Sequence, residues 1–294
     1  MANIIWDGDD SALYTNNDNW QGSADPAAAD DAFFPSGNSN PVAGTDQGGT
    51  ALASFTTEPG YTGAIGSITD GKPTYLDIAA TTMNLAGTGL TYLTSGACTT
   101  CNIRGAAVGA GTGQYGLNII TDDTVATMYV HLASGQSLGI CTMPGEAAII
   151  TTLVISGSGT VSIGSGLTCT VLHVNGCDVT CESAVATVHV HGGTLAMRAA
   201  ISSILEITAG TMYQEEGAIA NAQVSGGTLY YSSDATLATA DIFQTGTIDF
   251  DLDPRPVTVT TMKLHRGGTI LDDHETVTWS HGIAPQAGMT ITAQ

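Results

Sequence analysis

Val188-His189-Val190, Gly193-Thr194 and Leu195-Ala196-Met197 are followed by Leu205-Glu206-Ile207, Gly210-Thr211 and Met212-Tyr213. Ala222-Gln223-Val224, Gly227-Thr228 and Leu229-Tyr230-Tyr231 come next. One phrase is being repeated: an alternating apolar strand, a Gly-Thr corner, then a second short strand. Thr194, Thr211 and Thr228 are 17 residues apart. The phrase extends outward to Leu153-Val154-Ile155 with Gly159-Thr160, to Ile242-Phe243 with Gly246-Thr247, and to Met262-Lys263-Leu264 with Gly268-Thr269. A short constant unit with a few late insertions predicts a β-solenoid: each unit is one coil, coils stack about 4.8 Å apart, and insertions leave at corners. A leucine-rich repeat would need regular Leu and Asn positions, and a propeller blade about 40 residues.

The predicted fold is all-β: a single-stranded parallel β-helix of ~17-residue coils over 61–280. A β-rich N-terminal cap over 1–60 precedes it, and a C-terminal cap or tail strand over 281–294 follows. Ten to twelve such coils would extend roughly 50 Å. Alternation sets side-chain direction. Leu172, Val188, Leu205 and Ala222 should form one inward ladder, and Val174, Val190, Ile207 and Val224 a second. His173, His189, Glu206 and Gln223 then face outward. Residues 61–150 carry looser versions of the same pattern. The first sixty differ, with clustered Asp, Asn and Pro and two tryptophans, Trp6 and Trp20, as befits a segment covering an open β-helix end.

Composition narrows the partners. Six Lys and Arg stand against 27 Asp and Glu, for a net charge of -21. Such a surface repels phosphate backbones and anionic lipid heads, so neither nucleic acid nor a membrane is an expected partner. Met1-Ala2-Asn3-Ile4-Ile5 lacks a basic stretch leading into an apolar one, so no signal peptide is expected. Without export, the six cysteines read as reduced thiols.

Several motifs carry possible chemistry. Gly111-Thr112-Gly113-Gln114-Tyr115-Gly116 matches the dinucleotide pattern, and Gly135-Gln136-Ser137-Leu138-Gly139 the nucleophile elbow. Each needs a strand-to-helix turn, and each is followed by a strand-like run instead. Cys98 with Cys101 and Cys177 with Cys181 could be two halves of a zinc site, helped by His173, but they lie too far apart in sequence for a compact finger; Cys181 reads as a small inward residue and the others as corner fillers. His131, His173 and His189 fall on outward positions, with His191 two residues past His189; stacked His173 and His189 could bind a metal or titrate together, or form an ordinary solvated face. Asp249, Asp251 and Asp253 alternate with Ile248, Phe250 and Leu252, a row suited to Ca²⁺ or to acid/base chemistry, and Asp7, Asp9 and Asp10 are a weaker Ca²⁺ candidate. The plain reading prevails for all of these. No catalytic residue, cofactor site or metal site is assigned.

Trp6-Asp7-Gly8, Asn19-Trp20, Pro26, Asp30-Asp31 and Phe33-Phe34-Pro35 resemble a recurring opening of bacterial and phage β-solenoid surface proteins, such as autotransporter-like passengers and tailed-phage virion proteins. The resemblance covers roughly 35 residues and the repeat style. It implies a non-enzymatic phage capsid decoration (cement) protein, assembled in the host cytoplasm and located in the virion. The implied partners are the major capsid protein and sister subunits, commonly in a homotrimer. The expected contact residues are the aromatics Trp6, Trp20, Phe33 and Phe34, as anchors at an interface; the alternative is that these rings only cap the core of the β-helix. A tail-fibre, tailspike or adhesin module binding host carbohydrate is the alternative, with Tyr213, Tyr230, Tyr231 and Phe243 as its aromatics, although alternation turns Tyr231 inward. A β-helix lyase or glycosidase is a third reading, weakened by the scarcity of basic residues.

Overall fold

The computed structural model describes residues 2–43, 47–70, 72–109, 114–275, 277–281 and 283–285. Its elements are strands apart from one 3-10 turn, Asn17–Asn19. The parallel sheet is arranged as a β-solenoid of about 12 turns, with coils about 19 residues apart. The chain separates into two compact units, Met1–Thr168 and Cys169–Gln294. Among the described residues, no helix is long and apolar enough to cross a membrane.

In the second unit both inward ladders form as the alternation predicts. Leu172 pairs with Val188, Val188 with Leu205 and Leu205 with Ala222; beside them run Val174, Val190, Ile207 and Val224. All eight side chains are fully buried. Each Val, Leu or Ile side chain so placed contributes on the order of 1.5–3 kcal/mol through removal from water. A second wall carries Leu195, Met212, Leu229 and Ile248 inward, likewise fully buried. The corner threonines Thr194, Thr211, Thr228, Thr247 and Thr269 stand in one continuous register. The preceding corner needs glycine at Gly210, whose φ is +84° and where a Cβ would lie 2.7 Å from the Gly193 carbonyl oxygen. Neither the left-handed backbone nor the close approach admits a side chain.

In the first unit the ladder begins earlier than residue 61. Asn3–Ile5 pairs with Asp31–Phe34, which pairs with Gln47–Thr57, and that strand with Leu76–Leu85. Cys98–Ile103, Thr124–Leu132 and Ala148–Ile163 continue the stack. Residues 1–60 therefore contribute parallel rungs of the same solenoid, and the predicted boundary at residue 60 marks no break in the ladder. The Asp-, Asn- and Pro-rich composition belongs to the connections between rungs. Those connections also explain why the mean coil exceeds the 17 residues of the repeat. Laddered partners are 23 residues apart at Asp31 and Ser54, 28 at Thr56 and Asn84, and 18 at Asn84 and Asn102, against 17 at His189 and Glu206.

The first coils have an aromatic core. Trp6 and Trp20 meet edge-on at 5.0 Å, Tyr14 and Trp20 at 4.9 Å, and Phe34 packs against both tryptophans at 5.6 Å. The Trp20 indole N–H donates to the Tyr14 carbonyl at 2.8 Å. The fully buried Asn19 amide accepts from the Asp10 and Ser11 N–H groups and donates to Ser11 Oγ and the Leu13 carbonyl. Large rings fill a wide coil, and the Asn19 amide closes the loop between them. At the other end, Ile283–Pro285 aligns with Met262, Lys263 and Leu264. The remainder of the predicted terminal strand, 282 and 286–294, lies outside the described residues.

Candidate functional site

The expected aromatic anchors divide. Trp6, Trp20 and Phe34 are buried to within 1%, so their rings are core and offer nothing to a partner at the surface. Alternation explains the outcome: in Asp31–Phe34, Ala32 and Phe34 point inward while Phe33 points out. Phe33 belongs to an outward ladder of the first unit that runs Ile5, Phe33, Thr56, Asn84, Asn102, Tyr129 and Val154, one residue per rung. No member is charged. Its amides are linked: Asn102 Nδ2 donates to Asn84 Oδ1 at 3.0 Å, and Asn84 Nδ2 to Thr56 Oγ1 at 3.3 Å. Tyr129 is 48% exposed. Around it lies a groove of about 550 Å³ that includes Asn102, Arg104, His131 and Ser156. His131 Nδ1 and Ser156 Oγ are 3.1 Å apart.

The outward face of the second unit carries different chemistry. His173 and His189 are ladder partners, and their rings stack at 4.6 Å with 10° between planes. His191 joins them, stacked 5.9 Å from His189 and 6.3 Å from His173. One ring nitrogen from each of the three lies within 4.8 Å of the others, the one such grouping of metal-ligating side chains among the described residues. His189 Nδ1 donates to Glu206 Oε2 at 2.8 Å, Glu206 being its ladder partner on the next coil. His191 Nδ1 is 2.7 Å from Thr208 Oγ1. Partial burial, reinforced by His189 and His191, holds His173 below the usual imidazole range, with Glu206 acting in the opposite sense. The neutral ring is thereby favoured.

The other candidates disperse. The strand ends at Asp249, so the acidic row does not line one face. Asp249 Oδ1 accepts from the Asp251 N–H, Asp251 Oδ1 from the Asp273 N–H, and Asp253 holds Arg255. Short carboxylates at a strand end cap their own turns. Near the N-terminus, Asp10 accepts from the Asn16 side chain, while Asp9 is exposed. All six cysteines are buried thiols. Burial pushes Cys101 well up and Cys141 up to about 11. Cys181 is inward, and Cys141 and Cys177 occupy positive-φ corners. Ser137 opens a strand, Ser137–Ile140, and its Oγ accepts the Gly116 N–H. Leu117–Thr121 is a strand too, while 111–113 of the glycine motif lie outside the described residues. Of the aromatics, Tyr213 and Tyr230 stack outward at 4.9 Å, Tyr231 is fully buried, and Phe243 stacks on His265 at 4.1 Å.

Fold and surface define a β-solenoid with one uncharged outward ladder, Ile5 to Val154, in the first unit and a cluster of three outward histidines in the second. No protein-family model, no curated protein and no solved structure matches the chain.

Proposed function

We propose that the chain is a non-catalytic virion structural protein, a decoration protein that binds a capsid shell through an outward face of its solenoid and assembles with sister subunits. One observation carries the reading: an uncharged outward ladder from Ile5 to Val154 in a protein of net charge -21. Interface cores are depleted in charge and enriched in aromatics, and a ladder mixing Phe33 and Tyr129 with Asn84 and Asn102 has that composition. Backbone pairing on every rung keeps the face rigid, so little ordering entropy opposes docking. The choice of a virion as the setting rests on the resemblance of the opening segment. The test is co-sedimentation of the purified chain with shells assembled in a strain lacking its gene. Saturable binding at a fixed ratio, weakened by Tyr129→Asp or Asn102→Asp, is the expected result. Failure to bind shells, together with absence of gold-labelled antibody from whole virions, overturns the proposal.

A second reading is favoured by the groove. An exposed aromatic ring beside Asn102, Arg104 and His131 offers a sugar both a stacking surface and hydrogen-bond donors, as a host-binding fibre or adhesin module requires. In that case antibody labels tail tips instead of heads, and glycan binding disappears in Tyr129→Ala.

A further inference from the structure

We propose that His173, His189 and His191 form a binding site for a first-row divalent transition metal, with Zn²⁺ as the reference ion. The site lies within the second unit, and its existence does not depend on the virion reading.

Three imidazoles are the ligand set that suits Zn²⁺, Ni²⁺ and Cu²⁺ and that Ca²⁺ and Mg²⁺ disfavour. Here the β-ladder brings two of them together, since His173 and His189 occupy the same position on adjacent coils. The third comes from the same strand as the second, where the pairing register shifts after Val190. The ligand nitrogens are within 4.8 Å of one another. Zn–N bonds of 2.0–2.1 Å in a tetrahedral arrangement require nitrogen separations of about 3.4 Å. The rings lie within 20° of parallel, so binding turns them toward a common point as well as drawing the nitrogens in, by χ rotations open to solvent-facing side chains.

The partners of the rings point the same way. Metal-ligating histidines commonly donate the other ring N–H to a carboxylate or hydroxyl, which selects the tautomer and raises ligand basicity. Glu206 accepts from His189 Nδ1, which leaves the Nε2 lone pair for a metal. Thr208 Oγ1 stands in the same relation to His191 Nδ1. Both partners come from the following coil, each 17 residues further on. His191 is exposed and the other two are half-buried, so an ion enters directly from solvent. Three protein ligands leave a fourth position for water or for a partner's side chain.

Isothermal titration of the chelator-treated full chain with ZnCl₂, and with CoCl₂ as a spectroscopic probe, tests the assignment. The expected result is one equivalent per chain, a visible Co²⁺ band of four-coordinate intensity, and a roughly 10–100-fold loss of affinity for Glu206→Gln. His173→Ala, His189→Ala and His191→Ala should each abolish binding. All three side chains point away from the core, so unchanged circular dichroism confirms that these variants fold. His131→Ala serves as the control and should bind like wild type. Absence of saturable binding in the wild-type chain overturns the proposal. So does Zn²⁺ binding that survives all three histidine substitutions, which would place the ion on the cysteines or carboxylates.

Discussion

Each unit builds the same kind of ladder from different materials. In Met1–Thr168 the opening coils are filled by Trp6, Tyr14, Trp20, Phe34, Phe55 and Tyr61, and the connections between rungs are long. In Cys169–Gln294 the early coils are filled by Leu, Val, Ile and Met, and Gly-Thr corners close them in 17 residues. Backbone pairing between coils is common to both and indifferent to what happens at the corners. A wide coil needs large rings to reach native packing density, whereas a tight coil needs only aliphatic side chains. Solenoid architecture is therefore specified by strand alternation, and coil size by the corners.

The severest way to break this comparison is Ile207→Asp. A carboxylate buried in the middle of an aliphatic ladder has no partner, and its cost of roughly 4–5 kcal/mol or more rivals the stability of a whole domain. Loss of protease resistance across the second unit is the expected readout, and a variant that melts like wild type would refute the inward ladder. Trp20→Ala comes next, at about 3–5 kcal/mol for an emptied aromatic site. Because contacts pass only between neighbouring coils, hydrogen-exchange protection should fall around Tyr14 and Phe34 while Val190 and Ile207 keep theirs. Equal loss at both places would mean the two cores melt as one.

Two glycines separate conformation from crowding. Gly210 and Gly135 have similar φ values, +84° and +82°, but a Cβ at Gly210 meets backbone whereas one at Gly135 meets nothing within 4 Å. Gly135→Ala should cost about 1 kcal/mol from the left-handed backbone alone, and Gly210→Ala up to about 3 kcal/mol. Denaturant midpoints that agree for the two variants would contradict the packed corner of the second unit.

The smallest effect is electrostatic and belongs to the first unit. The Ala2 and Ala27 N–H groups donate to Asp30 and hold its carboxyl below the usual range. A carboxyl lowered on folding stabilises the fold above its unfolded pKa, near 3.9, and that contribution is lost as pH falls through the lower folded value. The difference in melting temperature between pH 7 and pH 3 should therefore be slightly smaller in Asp30→Asn than in wild type.

Most of the solenoid was legible in the repeat itself. Alternation in Val188-His189-Val190 or Leu205-Glu206-Ile207 is a local property, and it assigns inward and outward positions before any coil has a neighbour. The alternation in Asp31–Phe34 was equally readable and would have separated Phe33 from Phe34; aromatic content drew them together instead. The acidic row at Asp249 misled for the opposite reason, because a strand that ends mid-pattern leaves its periodicity behind in the sequence.

By itself, then, the sequence determined the solenoid, the direction of its side chains and the glycines its corners require, all through interactions within one coil. Only the tertiary structure decided which residues of different coils coincide. The register of one coil on the next depends on coil lengths that vary, from 16 residues between His173 and His189 to 28 between Thr56 and Asn84, and a length carries no record of where the chain rejoins the stack. That register joined Asn84 to Asn102 and Tyr129 in one unit. In the other it set His173 over His189, with a shift after Val190 at the point where His191 enters the cluster.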